Sequence, residues 1–143
     1  MASANRTVTM QVGIDKIWKT ITSYEKYPEY LSDVKEVKVL SRGSEKAEVQ
    51  YSIELMGKQI NYTLTHDESG APNAMKWDLS QSEFFKLNHG TWELKSIGPE
   101  QTEVTYSIEV EFKIPVPNFL LSGIIKSTLP KTMENFEKSA KSL

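Results

Sequence analysis

The chain contains no cysteine, which excludes disulfides, thiolate metal ligands and a thiol nucleophile. Arginine is scarce, with Arg6 and Arg42 alone. The 17 basic side chains against 19 acidic ones leave a formal net charge of -2, so no basic footprint exists for a nucleic-acid backbone. No glycine-rich phosphate loop, GxSxG elbow or HExxH helix occurs. No window reaches the roughly 20 apolar residues of a membrane span. The opening MASANRTV lacks the charged and apolar segments of a secretory signal, so a soluble cytoplasmic protein is expected.

What is present suits one globular domain over residues 1–143, with 38% hydrophobic and 25% charged residues and no repeat or low-complexity linker. In RTVTMQVGI, Val8, Met10 and Val12 alternate with polar neighbours, as in a half-buried strand. Asp15 then suits a helix N-cap ahead of KIWKTITSY, and a second short helical piece follows around EKYPEYL. From Val34 the apolar period becomes two. Val49, Tyr51, Ile53 and Leu55 alternate with polar residues, as do Ile60, Tyr62, Leu64 and His66 beyond a turn at Met56–Gly57–Lys58, which predicts an antiparallel hairpin over 46–66.

Met75, Trp77 and Leu79 form the next inward set, and Val104, Tyr106, Ile108, Val110, Phe112 and Ile114 the last. Between them Leu87 and His89 are out of phase with Trp92 and Leu94, which predicts a β-bulge at Gly90. Leu121, Ile125, Leu129, Met133, Phe136 and Ala140 recur at helical spacing and predict a long last helix. Pro130 predicts a kink or break near residues 126–130. The expected class is α+β, in the order β-α-α-β-β-β-β-β-β-α. A strongly curved antiparallel sheet of about seven strands would wrap the last helix and leave a hydrophobic cavity between them.

This order, with IWKTITSYEKYPEYLSDVKEVKVL and GTWELKSIGPEQTEVTYSIEVEF, resembles the START-like SRPBCC superfamily over essentially the whole chain. Birch pollen allergens, polyketide cyclases and coenzyme Q-binding proteins share its helix-grip fold. The chain looks most similar to the polyketide cyclase/dehydratase, lipid-transport and coenzyme Q-binding branch. The resemblance implies a hydrophobic ligand held between sheet and helix, and it identifies Trp18 as a fold residue.

The cavity residues expected from phase are Tyr51, Ile53, Tyr62, Leu64, His66, Trp77, Leu79, Tyr106, Ile108 and Val110 from the sheet, with Leu121, Ile125 and Leu129 from the helix. Three inward tyrosines would supply hydroxyls in a greasy pocket, the pattern of a small-molecule site; the plain alternative is core packing with one partner each. His66 either orients a ligand oxygen or is a strand-end histidine bonded to its neighbours. Only His66 and His89 are histidines, with no carboxylate in phase beside them, so no metal and no cofactor are expected. Glu109 and Glu111 fall on the polar phase of their strand, which points to a solvated face rather than an acid–base pair.

The stretch PVPNFLLSGIIKSTLP carries more apolar surface than one stripe needs. Phe119, Leu120 and Ile124 lie off the stripe, and two readings stand: a gate at the cavity mouth that touches a membrane transiently, or packing on Tyr27, Tyr30 and Leu31. The expected function is binding, with transport as an extension, of a lipid, quinone or polyketide-like molecule without chemistry. One alternative is a polyketide cyclase, aromatase or dehydratase using His66 and a tyrosine. Another is an interaction module related to ribosome-association toxins or chaperone activators. No nucleic-acid partner is expected.

Overall fold

The computed structural model describes residues 2–55 and 57–143; the side chains of Leu55, Asn118, Leu121 and Ile124 lie outside the description. Strand β1 (Ala2–Met10) is followed by helix α1 (Ile14–Ile21), a single 3-10 turn (Tyr24–Lys26) and the short helix α2 (Tyr27–Tyr30). Six strands come next: β2 (Val34–Arg42), β3 (Lys46–Leu55), β4 (Lys58–Gly70), β5 (Ala74–Ser82), β6 (Phe85–Gly98) and β7 (Gln101–Phe112). Helix α3 (Asn118–Lys141) closes the chain.

The strands form one seven-stranded antiparallel sheet in the order β1-β7-β6-β5-β4-β3-β2, so each hairpin neighbour pairs locally and only β1 crosses to the far edge, beside β7. This is the helix-grip architecture. The 46–66 hairpin forms as its alternation predicts, with Leu55 opposite Lys58 and Gly57 at φ 77, a left-handed value that glycine adopts without strain. The first strand starts earlier than its apolar alternation suggests, at Ala2, because β7 offers it a long partner reaching Val110.

Two local expectations are corrected. Gly13, not Asp15, holds the N-cap position of α1; Asp15 sits in the first turn, where its charge still favours the helix dipole. No bulge occurs at Gly90, because β6 pairs with β7 in unbroken register from Leu87 to Ser96 and the shifts fall outside that span. The inward phase of β6 is Asn88, Gly90, Trp92 and Leu94, and a polar residue starts it. Gly90 has a different reason to be glycine. A Cβ there would stand 2.2 Å from the Ser107 carbonyl oxygen and 2.3 Å from the Trp77 ring. The indole lies on the β6 backbone, and direct β5–β6 pairing stops at Trp77–Gly90, so the two strands separate beyond it.

Helix α3 runs unbroken across Pro130, against the expected break. Leu129 and Met133 on either side of the proline are buried, and that burial holds the helix in register although one backbone hydrogen bond is lost. The α3 backbone comes close to β1, α1 and α2. Its C-terminal half is tied down by Asn135 Nδ2 donating to the Tyr30 carbonyl at 2.7 Å and by the Gln11 amide donating to Glu137 at 3.0 Å. Phe136 packs edge-on to Tyr27, Tyr30 and Trp92. Over the middle of the sheet the helix stands off, and space remains.

Gly90→Ala is expected to destabilise the protein by about 3 kcal/mol, since one of its two clashes is with backbone that cannot swing away. Chemical denaturation measures it; an unchanged midpoint would mean that the strand and Trp77 move apart freely.

Candidate functional site

Among the described residues, two adjoining cavities lie under α3. The inner one, about 110 Å³, is lined by Tyr27, Leu31, Val34, Tyr51, Tyr62, Leu64, His66, Trp77, Asn88, Trp92, Tyr106, Ile108, Thr132 and Phe136. The outer one, about 200 Å³, shares Leu31, Val34, Tyr62, Asn88, Tyr106, Ile108 and Thr132 with it and continues to Asp33, Ile53, Phe85, Val110, Phe112, Ile125, Thr128 and Leu129. The sheet supplies the floor, α3 the roof, and the segment from α2 to the start of β2 a side wall.

Aromatic rings build the inner wall because inward positions on paired strands fall side by side. Tyr51 and Tyr62 are direct partners on β3 and β4 and stack at 5.3 Å. Tyr106 sits between Trp77 at 5.4 Å and Trp92 at 4.7 Å. The Trp77 indole N–H donates to Asn88 Oδ1 at 3.2 Å. That bond orients the Asn88 amide, since an indole can only donate.

His66 is buried between three neighbours. Its Nδ1 lies 3.2 Å from Met75 Sδ and its Nε2 2.7 Å from the Tyr51 hydroxyl, while the Tyr24 ring covers it at 4.2 Å. Sulfur carries no proton, so Nδ1 holds the hydrogen and Tyr51 donates to Nε2. Burial, reinforced by the Arg42 charge, pushes the His66 pKa from 6.5 down to about 3. Arg42 reaches the network through Glu68, which it pairs at 3.2 Å and which accepts the Tyr24 hydroxyl at 2.5 Å. Burial first, and neighbouring groups second, raise the pKa values of Tyr27, Tyr51, Tyr62 and Tyr106. At neutral pH the imidazole and phenols are therefore uncharged. Among the described residues no lysine or arginine lines either cavity, and Asp33 at the outer rim is exposed.

Of the residues expected from phase, the cavities bring together Tyr51, Ile53, Tyr62, Leu64, His66, Trp77, Tyr106, Ile108, Val110, Ile125 and Leu129. Leu79 lines neither cavity: it pairs with Leu64, but it lies past Trp77, where β5 no longer has β6 beside it. The side chains of Leu121 and Ile124 lie outside the described residues. Phe119 is 81% exposed and Leu120 45%. Sequence reasoning missed Tyr27, Leu31, Val34, Phe85, Asn88, Trp92, Phe112, Thr132 and Phe136 as wall residues. The Tyr-Pro segment was a usable signal for the first two, and the correct phase of β6 would have found Asn88 and Trp92.

His89 does have carboxylate neighbours, contrary to expectation. On the outer face it pairs with Glu109 through Nε2 at 3.0 Å and approaches Asp78 with Nδ1 at 3.7 Å. Opposite ring nitrogens face the two carboxylates, so they converge on no common point. These residues border an open, polar surface depression of about 980 Å³ that runs round the β1 edge to Lys126 and Pro130.

A sheet curved round a long helix with an apolar space between them defines a START-like protein, and comparison with known proteins agrees. The family model described as polyketide cyclase / dehydrase and lipid transport matches residues 10–137, so the chain belongs to that family. Solved structures share the fold at low identity. A START superfamily protein from Mycobacterium smegmatis is 18% identical, with 99% of each chain covered and a TM-score of 0.87. The Zhui aromatase/cyclase from Streptomyces sp. R1128 is 13% identical, with 97% of this chain and 93% of that one covered and a TM-score of 0.86. A STAR-related lipid transfer protein from Xanthomonas axonopodis is 12% identical, with 97% and 85% covered and a TM-score of 0.80. No curated protein matches the chain in sequence. No helix among the described residues is long and apolar enough to cross a membrane.

His66 makes stability depend on pH in a defined direction. Its folded pKa lies below its unfolded one, so between about pH 6.5 and 3 the unfolded chain binds the extra proton and stability falls as pH drops. The slope from this one group approaches 1.4 kcal/mol per pH unit at most, on the order set by proton linkage. Denaturation of the parent and of His66→Gln from pH 7 to 4 should show the parent losing stability faster. Parallel pH profiles would mean that the imidazole titrates normally.

Proposed function

We propose that the protein encloses a hydrophobic small molecule between the sheet and α3, and holds or carries it without covalent chemistry. The observation that supports this best is the pair of adjoining cavities walled by aromatic and aliphatic side chains and free of buried formal charge. Apolar burial at roughly 25 cal/mol per Å² would drive binding without an ionic anchor. The fold neighbours whose names specify aromatase/cyclase or lipid transfer activity support a ligand of that general chemistry. A cyclase reading rests on the Tyr51–His66 pair. An imidazole with a pKa near 3 is a weak base and a phenol pushed above its usual range a weak acid, and their hydrogens are already committed to each other and to Met75, so the pair is poorly suited to moving protons to or from a guest.

Each cavity is smaller than the ~300 Å³ at which small-molecule sites usually begin, so a lipid-sized guest requires α3 to shift. The fixed C-terminal half and the exposed Phe119 and Leu120 support a gate in the N-terminal half, closing on the guest and meeting a membrane during transfer.

Organic extraction of the purified protein followed by mass spectrometry should yield a bound hydrophobic compound, and a fluorescent fatty-acyl probe should titrate to saturation. Ile108→Trp, which fills the junction of the cavities, should reduce probe affinity at least tenfold. No extract and no probe binding would defeat the proposal. Phe119→Ser with Leu120→Ser should slow probe transfer from liposomes while changing stability by less than about 1 kcal/mol, as for exposed positions. A large loss of stability would show instead that the two residues are core.

A further inference from the structure

Seven residues wall both cavities, and four of them are polar: Tyr62, Asn88, Tyr106 and Thr132. In an apolar space that is a concentration of polarity at one point, the junction. Asn88 is only 5% exposed and spends its Oδ1 on the Trp77 indole N–H, which leaves both hydrogens of Nδ2 without an acceptor among the described residues. The hydroxyls of Tyr62, Tyr106 and Thr132 likewise have no hydrogen-bond partner among the described residues, whereas Tyr24, Tyr27 and Tyr51 each spend theirs on a protein acceptor. No sealed side-chain nitrogen or oxygen lacks a partner among the described residues, so these four groups stay open by facing the cavity.

Unpaired polar groups deep in an apolar site discriminate strongly, because a guest that cannot bond to them leaves them desolvated. Asn88 Nδ2 can only donate, and each hydroxyl can donate, so the junction is suited to an acceptor oxygen. Among the described residues it holds no cation to neutralise an anion, and the raised phenol pKa values keep Tyr62 and Tyr106 protonated. Apolar walls continue on both sides.

Resting on the cavity reading above, we infer that the ligand is an uncharged molecule whose carbonyl or hydroxyl oxygen lies between two apolar arms. That oxygen bonds at the Tyr62–Asn88–Tyr106–Thr132 junction, one arm runs toward Trp92 and the other under α3. Fused-ring ketones and quinones have this plan. Fatty acids and phospholipids, with the polar group at one end and charged, do not.

Three rigid probes of similar shape separate the outcomes: fluorene, 9-fluorenone and fluorene-9-carboxylate, titrated by quenching of tryptophan fluorescence. Fluorenone should bind about tenfold tighter than fluorene, as one to two buried hydrogen bonds imply, and the carboxylate should bind weakest. In Tyr62→Phe/Tyr106→Phe the ratio of fluorenone to fluorene affinity should shrink toward unity. Equal binding of fluorene and fluorenone, or tightest binding of the carboxylate, would overturn the inference while leaving an apolar cavity in place. Binding of none of the three, together with an empty extract, would overturn the cavity reading and this inference with it.

Discussion

The placement of Phe136 governs the rest of the structure. Its ring stands edge-on to Tyr27, Tyr30 and Trp92, so one side chain joins the last helix to the side wall and to the sheet. Aromatic contacts of this kind keep a fixed spacing because dense interiors resist compression. The spacing sets how high α3 rides over the sheet. Held lower, the helix would bury the strands completely; held higher, the stripe of Leu129, Met133 and Ala140 would lose its burial.

The sheet contributes from below by splitting where Trp77 covers Gly90. Pairing of β5 with β6 ends there, and the indole occupies space a side chain on β6 would need. The same indole fixes the Asn88 amide. One tryptophan thereby shapes the floor and polarises it. The His66–Tyr51–Tyr24 group works differently, since its polar atoms are satisfied within the protein, Tyr51 by His66, His66 also by Met75 and Tyr24 by Glu68, which leaves a neutral, rigid inner end.

Much of the fold could be read from the chain because period-two alternation over β3, β4 and β7 admits few other arrangements. Inward residues on those strands became wall residues with little error. The failures on β6 have one cause: inward-facing was equated with apolar. On β6 that rule discarded Asn88, put Leu87 and His89 on the inward side and made Gly90 look like an inserted residue. Leu79 failed for a reason no alternation carries, because its place depends on where a neighbouring strand departs. Val34 and Thr132 reach the cavity through the packing of the side wall and of α3, and their sequence spacing has no period that announces it.

Helix α3 is secured near one end, which gives it the mechanics of a lever. From Phe136 back to Phe119 the helix extends roughly 25 Å at 1.5 Å per residue. A tilt of about 10° around the Phe136 packing would carry the Phe119 end some 4 Å from the sheet on that length, close to the thickness of an aromatic ring. The contacts near the pivot would move by only a small fraction of that, so an opening wide enough for a flat guest costs little of the packing that holds the protein folded.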